Sequence, residues 1–266
     1  MVAPDPNDLV IFVALTSIAL FNTLEVFVCL FLTFKKYRGS YFWSLLLTAI
    51  GIIVSATGNL LVYLSTDPPV WGFVSIGVIG WWFYVTFQSL VLWSRLHLVC
   101  PNRLVLRGIL WMIVFDSIVF ITPTTVLVFL QSIPNAPPAY TNGYLVMEMI
   151  QVTVFFIQEV IVSGLYMWKS IQLSQLVVER QKQIILYQVF AINVGIVLMD
   201  FAILVPQYLH QREIQIMIKS LVYSIKLKFE FIVLSKMVDF CTMPQTDGGR
   251  FSISGINPDS KSSFPT

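Results

Sequence analysis

Residues 214–238 read Ile-Gln-Ile-Met-Ile-Lys-Ser-Leu-Val-Tyr-Ser-Ile-Lys-Leu-Lys-Phe-Glu-Phe-Ile-Val-Leu-Ser-Lys-Met-Val, and their reading decides the architecture. Ile, Leu, Phe and Val fill most positions at a length that can cross a bilayer, where about 20 apolar residues cover a hydrocarbon core of about 30 Å. Lys219, Lys226, Lys228 and Glu230 interrupt the run, so it either crosses as a seventh span or lies on the surface. Six upstream stretches qualify without interruption: Leu9–Phe34, Tyr41–Leu64, Trp71–Leu98, Arg107–Leu130, Gly143–Lys169 and Ile184–Gln207. Turn chemistry separates them, at Arg38-Gly39-Ser40, Asp67-Pro68-Pro69, Cys100-Pro101-Asn102 and Pro134–Pro138.

The distribution of basic residues supports counting the seventh. With 214–238 taken as a span, twelve Lys and Arg residues fall on one side: Lys35, Lys36, Arg38, Arg95, Arg103, Arg107, Lys169, Arg180, Lys182, Lys236, Arg250 and Lys261. Arg212 stands alone on the other. The loaded side is cytoplasmic by the positive-inside rule, which puts the N-terminus outside and the C-terminus in the cytoplasm. That parity requires an odd number of spans. The expected fold is therefore all-α, a seven-helix membrane bundle over 9–238. A short outer N-terminus (1–8) precedes it, and a polar, disordered cytoplasmic tail (239–266) follows. The first ten residues carry no basic group, unlike a cleaved signal peptide, so the first span is expected to be retained. Trp43, Trp71, Trp111 and Trp168 fit the membrane interfaces.

Composition agrees. Of 266 residues 57% are hydrophobic and 11% charged, and the mean hydropathy is +0.80. A soluble domain carries about 25% charge, so a soluble enzyme is excluded. A net charge of +2 gives no reason to expect nucleic acid as a partner. Three cysteines and two histidines, without ligand spacing, point to no metal and no cofactor. The expected partners are the bilayer and a small-molecule or lipophilic ligand. A cytoplasmic partner is not specified by any motif.

Function is to be sought among the charges kept inside the spans, which cost about 2.5–3.5 kcal/mol each on insertion scales and normally face the bundle interior. Six carboxylates (Glu25, Asp116, Glu148, Glu159, Asp200, Glu230) and three lysines lie there. Helical spacing groups them. Lys219, Tyr223, Lys226 and Glu230 follow one stripe, Glu148, Gln151, Phe155 and Gln158 another, and Trp81, Tyr84, Gln88 and Arg95 a third. Asn193 and Asp200 are seven apart. Glu25, Gln88, Asp116, Glu148, Gln158, Glu159, Asn193, Asp200, Lys226 and Glu230 are thus candidates for an intramembrane polar pocket, open outward through Glu148 and Asp200. The alternative is a set of interhelical hydrogen bonds that hold the bundle together. Lys226 and Glu230, four apart, can pair on one helix, whereas Lys228 points elsewhere and needs a carboxylate on a neighbouring helix. With six acids to three lysines, some carboxyls are expected to be protonated. Arg95 and His97 end the third span at the cytoplasmic interface. There Arg95 either snorkels to the headgroups or serves as the arginine that rhodopsin-type receptors keep at this place. The Asn-Pro-x-x-Tyr sequence of those receptors is missing from span seven. Lys226 resembles the retinal-binding lysine of microbial opsins, but span three lacks their carboxylates.

Several blocks carry a family resemblance. They are Gly80-Trp81-Trp82 through Gln88-Ser89-Leu90-Val91-Leu92, Ser94-Arg95-Leu96-His97-Leu98, Pro123-Thr124-Thr125-Val126, and Gln158-Glu159 with Ser163-Gly164-Leu165-Tyr166-x-Trp168. Ala191-Ile192-Asn193-Val194 with Met199-Asp200, and Tyr223-Ser224-Ile225-Lys226-Leu227-Lys228-x-Glu230-Phe231, complete the set. Over roughly residues 40 to 238 the chain resembles a family of fungal seven-helix membrane proteins defined as a domain of unknown function. The resemblance implies the topology and transfers no activity or site. Two functions remain in view. One is a receptor-like or transporter-like protein binding a small molecule or ion in the polar pocket. The other is a membrane-embedded enzyme, of acid-catalysed cyclase or isomerase type, acting on a lipophilic substrate such as a prenyl compound. Fungal transmembrane terpene cyclases are similar to this second reading in architecture alone.

Overall fold

The computed structural model describes residues 6–33, 39–64, 71–133, 136–176, 180–209 and 212–242. The expected tail beyond 242 and outer segment before Pro6 lie outside the described residues, as do Lys35, Lys36, Arg38, Arg250 and Lys261. Among the described residues all regular structure is helical, in seven helices: α1 (Pro6–Thr33), α2 (Ser40–Leu64), α3 (Trp71–Val99), α4 (Arg103–Gln131), α5 (Pro138–Leu176), α6 (Arg180–Tyr208) and α7 (Arg212–Thr242). The first six are each long and apolar enough to cross a membrane. α7 is long enough, at 31 residues, but too charged to qualify on apolarity.

Most helices outrun the apolar stretches that announce them. The Asn102 side chain accepts the Leu104 N–H at 3.0 Å, so α4 starts at Arg103, before the apolar run. α5 continues through the polar turn Gln172–Gln175 and reaches 39 residues. At about 1.5 Å per residue, that overshoots a hydrocarbon core. Within α4 the helix widens to a π turn at Ser117–Ile121, just before Thr122-Pro123. Pro123 has no N–H to give the preceding turn, and the wider turn absorbs that loss. Hydroxyls are satisfied locally by the carbonyl four residues back, as for Thr23, Thr48 and Thr124. Hydrocarbon offers them no other partner.

Each helix packs on its sequence neighbours, and α7 closes the bundle between α6 and α1 while also touching α2 and α3. The closest seam joins α2 and α3. Gly51 and Gly58 on α2 meet Gly77 and Gly80 on α3 backbone to backbone: a Cβ on Gly51 would stand 2.6 Å from Tyr84 N, and one on Gly80 would strike Ser55 N. Small residues at this spacing let two helices approach where lipid supplies no hydrophobic drive. Large apolar side chains such as Phe21, Leu32, Phe115 and Leu198 face outward, as a bilayer surround requires. Trp43, Trp71, Trp111 and Trp168 are also exposed. α7 is the reverse: every described side chain from 215 to 236 is buried or half-buried.

The glycine seam makes a direct prediction. Gly80→Ala should lower stability by about 1–3 kcal/mol, the usual cost of overpacking, in unfolding of the detergent-solubilised protein. Gly72→Ala, where a Cβ meets open space, should leave the midpoint unchanged.

Candidate functional site

The charges that disqualify α7 on apolarity are all turned to other helices. Lys219 Nζ donates to Glu148 Oε1 on α5 at 3.1 Å. One full pair of turns along the same stripe, Lys226 Nζ donates to Glu159 Oε2 on α5 at 2.6 Å and also to Asp200 Oδ1 on α6. Glu230 Oε1 accepts from Arg95 Nη2 on α3 at 2.8 Å. Lys228, off the stripe, reaches back to Glu25 Oε2 on α1 at 2.6 Å. The resulting ladder ties α7 to four helices.

Two expectations need correcting. Lys226 and Glu230 do not pair along their own helix. Each has a partner across the bundle, because the stripe that carries them points to the interior and meets an acid on one side and a base on the other. Arg95 does not snorkel either. It is buried to 2% exposure, bonded to Glu230, with its guanidinium 5.2 Å from the centroid of the Tyr166 ring. Glu230 itself is fully buried, and its backbone carbonyl accepts the Tyr41 hydroxyl at 2.8 Å. Burial of this kind stabilises little in net terms, because desolvation offsets the attraction. Removing one partner is what costs energy. For Lys228 the expected carboxylate on a neighbouring helix is Glu25.

Two cavities open off the ladder. The larger, about 340 Å³, lies between α2, α3, α4, α5 and α7, towards the end of the bundle where α1, α3, α5 and α7 begin. Its wall combines Ser55, Asn59 and Thr124 with the rings of Trp81, Tyr84 and Tyr144, and the Glu148–Lys219 pair borders it. The smaller, about 30 Å³, is lined by Gln151, Phe155, Glu159, Asp200 and Tyr223 and shares Trp81 and Lys219 with the first. Beyond it Arg95 and Glu230 are buried, as are Leu96, Leu227, Val233 and Leu234 near them along α3 and α7.

The sequence candidates fall into four groups. Glu148, Glu159 and Asp200 line a cavity, and Lys226 and Glu230 are buried within the ladder. Gln88, Gln158 and Asn193 are fully buried, at 0–2% exposure, with Asn193 Nδ2 donating to Val189 O at 2.7 Å, yet neither cavity includes them. Asp116 is buried on α4 where the π turn begins, apart from the ladder. Glu25 and His97 are exposed. Glu25 lies with Lys228 in the α1–α7 seam, and His97 has its ring 5.9 Å from that of Trp93. The candidates omit Asn59, Thr124 and Tyr144, which line the larger cavity. Asn59 had a signal, an amide inside an otherwise apolar span, four residues after Ser55.

The ladder and both cavities lie within residues 5–250, which match the family model described as "Domain of unknown function (DUF7703)". The chain belongs to that family. No curated protein and no solved structure matches it significantly. Membership therefore covers all seven helices, including α7, without naming a chemistry.

The Arg95–Glu230 pair can be tested by a double-mutant cycle. Arg95→Leu leaves a buried carboxyl without its base and should cost about 3–5 kcal/mol in unfolding from mixed micelles. Adding Glu230→Leu should restore most of that loss.

Proposed function

We propose that this is a receptor-like membrane protein of seven spans, N-terminus outside, that binds a small molecule in the larger cavity. The observation that carries the reading is the cavity itself. Its volume, about 340 Å³, is in the range of small-molecule sites, and such sites combine apolar or aromatic walls with a few fixed polar groups. Trp81, Tyr84 and Tyr144 supply the rings; Asn59, Thr124, Glu148 and Lys219 supply the polar groups. The burial of Lys226 and Glu230 and the pairing of Lys219 with Glu148 support α7 as the seventh span, and Lys228, nearer the surface, meets lipid already neutralised by Glu25. The twelve-to-one bias of basic residues supports the orientation, and the resemblance to fungal seven-helix proteins supports the count. With that orientation the cavity faces outward and the Arg95–Glu230 end faces the cytoplasm, an arrangement suited to sensing. The acid-catalysed enzyme has less support, because it calls for an isolated carboxylic acid in an apolar chamber. Here Glu148, Glu159 and Asp200 are each engaged by a lysine.

Cysteine labelling tests access and orientation together. In a background freed of the native cysteines, Asn59→Cys should react with a membrane-impermeant maleimide on intact cells, and His97→Cys only after permeabilisation. Binding is read separately, from thermal unfolding of the purified protein against a panel of small amphipathic molecules. A ligand at 100 times its Kd should add about 2.7 kcal/mol, and Lys219→Ala or Tyr144→Ala should abolish the gain. Unreactive Asn59→Cys from either side, together with no stabilising compound, would sink the reading.

A further inference from the structure

The charges gathered around α7 do not balance. Lys228 and Glu25 cancel. Among the described residues of the interior, Glu148, Glu159, Asp200 and Glu230 pair with Lys219, Lys226 and Arg95. The Glu148–Lys219 and Glu230–Arg95 pairs are neutral, so one negative charge is left over where two carboxyls share one ammonium. All three members of that triad are buried, Lys226 completely and the two acids to 6% exposure each. An uncompensated charge is costly in such surroundings.

Local geometry says what fills the deficit. Asp200 Oδ2 meets no donor, and Glu159 Oε2 and Asp200 Oδ1 both accept from the one Lys226 Nζ, which holds the two carboxyls side by side. A single ammonium cannot compensate two ionised carboxyls, and a proton on one of them lets it donate to the other. A separate group points the same way. Gln151, 3% exposed, lines the 30 Å³ cavity beside both acids with its Oε1 unpartnered, and a cavity of that size admits a water. The other titratable or charged groups facing the triad are Tyr84 and Arg95 on α3, Glu148 on α5, and Lys219, Tyr223 and Glu230 on α7. Both tyrosines are neutral donors and the rest form the neutral pairs.

We propose that Glu159 and Asp200 hold one exchangeable proton between them, which makes the Glu159–Asp200–Lys226 triad a proton-binding site inside the bundle. A proton that enters from bulk solvent as hydronium and is relayed through the cavity, leaving neutral water behind, converts one carboxylate to a carboxylic acid whose O–H donates to the other. Lys226 keeps its own proton, and the triad becomes neutral. The site is independent of any small molecule in the larger cavity. A sodium ion would supply the same charge, and its signature would be a sodium-dependent stability in place of a C=O band.

Infrared spectroscopy of the full chain in nanodiscs at neutral pH reads the proton through the C=O stretch of protonated carboxyls. Asp116→Asn first removes any contribution from Asp116. In that background the band should fall by one carboxyl per chain in Asp200→Asn and equally in Glu159→Gln, because each leaves a single carboxylate matched by Lys226. Lys226→Met should raise it by one. Either acid variant reports the same quantity if the other fails to fold, and acid titration of the background protein should leave this component unchanged between sodium and potassium buffers. A band untouched by both acid variants overturns the proposal. So does a band missing at neutral pH with thermal stability rising with sodium, which would assign the charge to a metal cation.

Discussion

A charge that enters hydrocarbon has to find its counter-charge inside the protein, and that requirement organises this bundle around α7. Water would otherwise solvate Lys219, Lys226, Lys228 and Glu230, and lipid does not. Each is therefore bound to a different place: α5, α5 with α6, α1 and α3 respectively. Four helices are thereby positioned by a fifth. The register is set as well, since Glu148 and Glu159 on α5 meet Lys219 and Lys226 on the parallel α7 in the same order.

The opposite principle governs α2 and α3. No charge joins them. Gly51 and Gly58 against Gly77 and Gly80 bring the backbones into contact, and dispersion over that close seam holds the pair. The two devices meet at the larger cavity. Ser55, Asn59 and Gly77 from the seam form one wall and the Glu148–Lys219 pair another. Close approach on one side and ionic spacing on the other leave a gap that side chains do not fill. Towards the other end Leu96, Leu227 and Val233 belong to the buried apolar clusters.

Helical periodicity and hydropathy were enough to read seven long helices, because four breaks carry Gly, Pro or Asn and the other two, 170–183 and 208–213, carry Gln and charged residues. They also grouped Lys219, Tyr223, Lys226 and Glu230 on one face. Partner choice was not readable. Lys226–Glu230 is as good a local pair as the spacing allows, yet both side chains turn outward from their own helix, and that depends on which helices adjoin α7. Glu25 illustrates the same limit: one carboxylate in an apolar span looks like a pocket residue until α1 is placed on the rim, where Lys228 meets it at the surface. Arg95 errs the other way. Position along the helix pointed to the headgroups, and rotation about it pointed inward to Glu230. The small-residue stripe Gly51, Ser55, Gly58 was present in the sequence, but only its match on α3 gives it meaning.

α7 also shows why apolarity and a place in the bundle are separate properties. The outer six helices present Leu, Ile, Val and Phe to the surround, so each must be apolar on a broad face. A helix enclosed by others answers to its neighbours instead. With every described side chain from 215 to 236 buried or half-buried, α7 can carry four charges through its middle provided the surrounding helices return four partners or more. They return five, Glu25, Glu148, Glu159, Asp200 and Arg95. The fifth is the excess carboxyl at Lys226, so the place where the bundle's charge fails to close is also where it adjoins the smaller cavity. A helix chosen only to hold its neighbours would close the count. One that leaves a carboxyl over, beside a space of water size, is arranged to exchange something with it.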